Sequence, residues 1–237
     1  MSRQLFIGIA AIGLALQAQP GSFNLGTDFS LSDNPGKIWQ YGYSASASLA
    51  PEQFRLYSYA DTSGPIGFWH PAKSEGNGPG YYPYAAFNTT GKSRPDSSNG
   101  WAVRGGEVAM EGSNTGQYSL VRFTAPRAGV YRVEGVFEGL HFRLSSTDVH
   151  VLHNAISVFD AKIEGYGGDP AFHRIEGAAP SSAFSALLEL KARDTVTFAV
   201  GYGKNKTPYN DTTGLIARIT LVQARSASGQ KWSDRGK

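Results

Sequence analysis

The chain contains no cysteine. Disulfide scaffolds, Cys-ligated zinc and thiol nucleophiles are therefore excluded. At 237 residues it is long enough to bury a core without such staples. Charge is scarce as well. Asp, Glu, Lys and Arg make up 17% of the chain, below the roughly 25% of an average globular protein. Combined with 12% aromatics, that composition excludes a disordered chain. No segment after residue 20 approaches the ~18 continuous apolar residues of a membrane span. No stretch there has a 3.6-residue period, and no repeat of fixed length recurs. G-x-S-x-G, H-E-x-x-H and G-x-x-x-x-G-K are all missing. The Gly-rich Gly76-Asn-Gly-Pro-Gly80 runs into Tyr81-Tyr-Pro-Tyr84, which forbids the helix start that a phosphate cradle needs.

What is present begins with an address. A short basic start with Arg3 precedes an apolar run at residues 5–16, and small residues up to Ala18 offer a cleavage site. That layout predicts a secretory signal peptide over residues 1–18, a buried N-terminal helix being the alternative. The expected location is extracellular or periplasmic, in a bacterium. With no Cys there is no lipobox.

The formal charge of +3 looks basic until it is located. Arg3 lies in the expected signal. Arg225, Lys231, Arg235 and Lys237 against Asp234 give the tail a net +3, which leaves 17 basic and 18 acidic residues in the body. No basic face is available to neutralise phosphates, so nucleic acid is excluded as a partner. Residues 223–237 read as a basic flexible tail.

The body, residues 19–222, reads as a single all-β domain, a jelly-roll-like antiparallel β-sandwich. Short alternating segments are separated by Gly, Pro, Asn and Asp. Trp39, Tyr41 and Tyr43 alternate with polar or small residues, and Phe54 to Tyr59 reads as one further strand. Tyr131, Val133 and Phe137 face one way, and Arg132, Glu134 and Glu138 face the solvent. Residues 148–160 predict a hairpin around Asn154-Ala155. Residues 184–190 and 195–200 predict a second pair, turned at Lys191-Ala-Arg-Asp194. The last strand puts Leu215, Ala217, Ile219 and Leu221 on one face. Residues 39–101 hold 13 of the 29 aromatics and are expected as long loops, whereas residues 115–222 are compact strands.

Several phrases carry a family resemblance. They are Val121-Arg-Phe-Thr-Ala-Pro126, Gly129-Val-Tyr-Arg-Val-Glu-Gly-Val-Phe137, Thr147-Asp-Val-His-Val-Leu-His-Asn154, Asp194-Thr-Val-Thr-Phe-Ala-Val-Gly201 and Asn210-Asp-Thr-Thr-Gly-Leu215, with Trp39-Gln-Tyr-Gly42 upstream. The body resembles secreted bacterial β-sandwich domains that look like carbohydrate-binding-module jelly rolls, of the kind found in PEP-CTERM-type exported proteins. The resemblance implies a sandwich and an extracellular address, and it leaves the ligand open. This sequence departs from the pattern at Ala155 and Arg193, where turn glycines are usual, and it has no apolar sorting tail after residue 222.

The aromatic-rich segment is the main functional signal. Sugar rings stack their CH faces on Trp and Tyr, whose edges stay hydrated. Trp69, Tyr81, Tyr82, Tyr84 and Trp101 are the candidate platforms, and Asn77, Asn88 and Asp96 are candidate hydroxyl partners. Cofactors are expected to be absent, apart from structural calcium held by loop oxygens of Asp148, Asp169, Asp194 or Asp211. His150 and His153 fall on opposite strand faces, which opposes joint metal ligation. The expected function is a secreted, non-catalytic domain that binds glycan or polysaccharide. A self-assembling extracellular protein is the first alternative. A polymer hydrolase with Glu134 or Glu138 as acid is the second. Glu134 and Glu138 are not each other's partner, since four residues at ~3.3 Å separate them by about 13 Å.

Overall fold

The computed structural model describes residues 21–71 and 82–225. The expected signal peptide, Asn77, Tyr81 and all but the first residues of the basic tail lie outside these. No helix among the described residues is long and apolar enough to cross a membrane. The strands are β1 (Ser22–Asn24), β2 (Trp39–Ser44), β3 (Phe54–Leu56), β4 (Tyr59–Ser63), β5 (Ile66–His70), β6 (Tyr84–Asn88), β7 (Arg94–Asp96), β8 (Trp101–Val103) and β9 (Val108–Glu111). They continue with β10 (Ser119–Thr124), β11 (Gly129–Gly139), β12 (Ser145–His153), β13 (Ile156–Tyr166), β14 (Glu176–Ala179), β15 (Ser181–Leu190), β16 (Thr195–Val200) and β17 (Thr213–Ala224).

Two antiparallel sheets pack face to face. One has the order β15-β11-β17-β9-β6-β5-β4, with β1 also pairing with β17; the other runs β14-β13-β12-β16-β10-β2-β3. From β10 onward the chain passes back and forth between the layers, which makes the sandwich jelly-roll-like. The period of two explains the core. Leu215, Ala217, Ile219 and Leu221 of β17 point inward, as do Tyr131, Val133 and Phe137 of β11, and all are buried. Trp39, Tyr41 and Val121 close the core from the other sheet.

Three sequence expectations change here. Residues 54–59 are not one strand. Tyr57 turns fully into the core, its hydroxyl donating to Ser119 Oγ at 3.0 Å, and the chain leaves one sheet at β3 to enter the other at β4. The pair at 184–200 is an arch. β15 joins β11 in one layer and β16 joins β10 and β12 in the other, so the turn spans the sandwich. Asp194 holds that turn by accepting from the Lys191 N–H at 2.8 Å, and Arg193 takes φ +75 where glycine is usual. The aromatic segment supplies strands as well as loops. Trp39, Tyr41, Tyr43, Tyr57 and Trp69 are buried because the interlayer space needs large rings to fill it, whereas Tyr84 is buried on the outer face of its sheet.

The hairpin at 148–160 forms as expected between β12 and β13, with a bulge at Val151/Leu152. Asn154 takes φ +54 there, which asparagine tolerates.

Candidate functional site

The even residues of β5 and β6 and the odd residues of β9 face away from the core. Ile66, Phe68, Tyr84, Ala86 and Ala109 thereby form an apolar patch on the outside of the larger sheet. Residues 89–104 fold back over this patch as the β7–β8 ribbon, and Val103 and Trp101 pack onto it. Asn88 pins the fold-back. Its Nδ2 donates to the carbonyls of Lys92 and of Val103 (2.9 Å), and its Oδ1 accepts from the Thr90 N–H and hydroxyl at 3.0 and 2.8 Å.

A cleft of about 450 Å³ opens between the ribbon, the outer sheet face and the 201–212 loop. Its apolar lining is Phe68, Tyr82, Tyr84, Trp101 and Tyr209. Tyr209 is half exposed, and Tyr82 stands edge-on to it at 6.3 Å. Its polar lining includes Asp96, Ser98, Asn99, Glu111, His141, Arg143, Asn210 and Thr212. A concave site with an apolar wall and a few convergent polar groups is the usual form of a small-molecule site.

The floor is a hydrogen-bonded trio. Tyr84 and Thr212 donate their hydroxyl protons to Glu111 Oε2 at 2.5 and 2.8 Å. Tyr84 faces Glu111 across the β6–β9 ladder, so register alone brings the two together. Burial pushes the Glu111 carboxyl up to about 8, against the lowering effect of those hydrogen bonds. Burial also pushes the Tyr84 hydroxyl well above its ordinary value, so it stays a donor.

Asp96 at the rim behaves oppositely. Ser98 and Asn99 donate to it from side chains and backbone, with the Ser98 hydroxyl at 2.5 Å, and hold its carboxyl down at about 2. Burial lowers His141. Its Nδ1 accepts from the Arg143 N–H at 3.1 Å, which leaves the proton on Nε2, toward the Asn99 carbonyl. The loop carrying Tyr209 is tethered by Asp211. That carboxylate accepts from the Ser146 N–H and from Asn205 Nδ2, both at 2.6 Å, and burial raises its pKa to about 6.

The expected site residues divide accordingly. Tyr82, Tyr84, Trp101 and Asp96 meet in the cleft. Trp69 does not. It is 6% exposed, lies on the inward face of β5, and donates its indole N–H to the Ser30 carbonyl at 2.7 Å. Tyr84 is 7% exposed and contributes a hydroxyl to the floor more than a stacking face. Asn88 is fully buried and spends its amide on the backbone, so it cannot reach a ligand.

Glu138 is not on a solvated face. It is 4% exposed and ion-paired with Arg104, which also lies 3.5 Å from the fully buried Glu107. The ribbon packing over the outer face of the sheet encloses this group, and burial pushes Glu107 up to about 7.

The calcium candidates have protein partners. Asp148 accepts from Tyr118 (2.7 Å), the Gly203 N–H (2.8 Å) and His150 (2.9 Å). Asp169 accepts from Ser93 and from the Ala171 N–H (2.8 Å), and Asp194 also meets His153 at 3.3 Å. Among the described residues, no group of three His, Asp or Glu side chains is arranged to hold a metal ion. His150 and His153 do separate, the first between Asp148 and Asp160 and the second at Asp194.

Sequence reasoning did not single out Glu111, Tyr209, Thr212 and Arg143 as binding residues. Glu111 carries a signal in retrospect, as the one acid closing the apolar strand Val108-Ala-Met-Glu. Tyr209 is a lone ring among Pro, Asn, Asp and Thr, outside the aromatic-rich segment that marked Tyr82.

No family model matches the chain, and no curated protein matches it. Among solved structures it is similar to CBM51 from Clostridium perfringens GH95, solved with methyl-galactose. The identity is 10% and the TM-score 0.36, over 84% of this chain and 99% of that one. It is also similar to a family 35 carbohydrate binding module from Clostridium thermocellum, with 11% identity and a TM-score of 0.29 over 71% of this chain and 90% of that one. A CBM4 structure shares 12% identity at a TM-score of 0.26, over 56% of this chain and 78% of that one.

Proposed function

We propose that the chain is a secreted, non-catalytic domain that binds a saccharide in the cleft under the β7–β8 ribbon. One observation carries this reading: Trp101, Tyr82 and Tyr209 wall a cleft whose floor is the Tyr84–Glu111–Thr212 trio. Part-exposed rings suit the apolar CH face of a pyranose, and hydroxyl, amide and carboxyl groups suit its edge. The cleft holds both kinds of group within a space the size of a small saccharide. Asn99, Arg143 and Asn210 at the rim supply donors, and Glu111 supplies an acceptor or, when protonated, a donor. Calcium ligation by Asp148, Asp169 or Asp211 would require these carboxylates to exchange protein partners for the ion. That part of the reading is tested by the melting temperature with and without a chelator.

A second reading rests on a different observation. Glu111 and Asp96 share one cleft, and their environments drive their carboxyls in opposite directions, which is the pattern of an acid and base pair in glycoside hydrolysis. Asp96 is engaged by the turn it caps, and this favours binding over hydrolysis. Binding to a panel of soluble and insoluble polysaccharides, with product analysis of the same mixtures, separates the two. Retention without released sugar supports binding, and released sugar that disappears in Glu111→Gln supports hydrolysis.

A further inference from the structure

β15 ends the larger sheet, and among the described residues nothing pairs with its outer edge. It is ten residues long, and its register with β11 runs from Leu190 to Ser181 without a bulge. Long flat edge strands are normally blunted by proline, charge, bulges or shortness. The other sheet ends follow that rule. β4 has five residues including Asp61, β14 has four including Gly177, and β3 has three. β15 follows none of it. Its sequence Ser-Ser-Ala-Phe-Ser-Ala-Leu-Leu-Glu-Leu contains no proline, and its single charge, Glu189, is paired with Arg225 at 2.5 Å. Leu187 stands 62% exposed on its outer face. β13, the neighbouring strand across the sandwich, pairs with β12 on one side, but along residues 156–162 no described strand pairs with its other edge, and it presents Ile156 at 71% and Val158 at 38% exposure. One side of the molecule thus concentrates unpaired backbone and apolar side chains.

We infer that β15 pairs antiparallel with β15 of a second copy, forming a two-fold dimer with one continuous sheet. This inference is independent of the saccharide reading. A two-fold axis normal to the sheet requires opposed residues to share a face, so the strand centres on a residue. Centring on Ser185 sets Leu187 against Ala183 and Glu189 against Ser181. All five of these positions are exposed in the single chain. Each leucine then covers an alanine methyl, and no like charges meet. A second copy fits this edge because the strand is complementary to itself in length, charge and face.

The test is the solution mass of the full chain by light scattering across concentration, with hydrogen exchange of amides 181–190. Wild type is expected to approach twice the single-chain mass as concentration rises, with slower exchange in this strand at high concentration. Ser185→Lys places two lysines opposite each other at the axis. It is expected to weaken the dimer at least about fivefold, the equivalent of ~1 kcal/mol. Ser185→Glu does the same alone, and an equimolar mixture of the two variants restores the dimer. Both variants sit at an exposed position, and circular dichroism verifies that they fold. A wild-type chain that stays monomeric at every concentration overturns the inference. So does a dimer unaffected by Ser185→Lys, or strand protection that does not vary with concentration, which would mean that the chain covers its own edge.

Discussion

Replacing Glu111 with glutamine removes a titrating proton from the floor of the cleft while keeping its shape. The wild-type carboxyl titrates at about 8 in the fold, against 4.5 when unperturbed. A group raised in this way contributes stability that is complete below its unfolded pKa and is lost as pH rises through its folded value. Between about pH 5 and pH 8 the native state keeps this proton and the unfolded chain has released it, so stability falls by ~1.4 kcal/mol per pH unit from Glu111 alone. Glu107 adds the same slope up to about pH 7, and Asp211 up to about pH 6. Asp96 and Asp148, both lowered, act in the opposite sense, stabilising above the unfolded carboxylate range and losing that contribution in more acid solution. The wild type is therefore expected to be most stable near pH 5 and to weaken toward pH 8. Glu111→Gln is expected to make the slope shallower by ~1.4 kcal/mol per pH unit across that window, so the variant gains on the wild type as pH rises. The amide oxygen still accepts from Tyr84 and Thr212. Urea denaturation at pH 5, 6, 7 and 8 measures this directly. Parallel slopes for the two proteins would refute a buried, proton-holding Glu111.

Three further outcomes follow from the packing. Asn88→Ala leaves the Lys92 and Val103 carbonyls short of a donor and should cost about 2–4 kcal/mol, with faster hydrogen exchange confined to residues 89–104. Trp69→Ala empties a core position and should cost about 3–5 kcal/mol by denaturation, while saccharide affinity of the folded fraction stays unchanged. Arg193→Gly relieves a non-glycine residue at φ +75 that keeps its N–H on the Ala125 carbonyl. It should stabilise by up to ~1 kcal/mol, strain relief being partly offset by unfolded-chain entropy, and a lower melting temperature would contradict this.

The strands were legible wherever one face meets the core, because burial on one side imposes the period of two. β17 and β11 are the clearest cases, and Tyr131, Val133 and Phe137 point inward as their spacing requires. Pairing was less legible. The stretch from Phe184 to Val200 has the local pattern of a hairpin, and only the tertiary arrangement decides that its turn crosses the sandwich. The same limit applied to the rings. Composition located the aromatic-rich segment but not the side each ring takes. Trp69 and Phe68 are adjacent on β5, so one enters the core and the other faces the cleft. Glu138 could not be recognised as buried, since Arg104 and the ribbon that cover it lie more than thirty residues upstream. Tyr209 reaches Tyr82 only through the 201–212 loop, a meeting no local pattern encodes.

The most direct test is titration of the folded protein with a panel of methyl glycosides and short oligosaccharides by calorimetry, alongside Trp101→Ala and Tyr209→Ala. At least one saccharide is expected to bind the wild type, and each variant is expected to lose about tenfold or more, equivalent to ~1.4 kcal/mol, without loss of fold. No binding by the wild type to any saccharide, or binding that both variants retain in full, would contradict this.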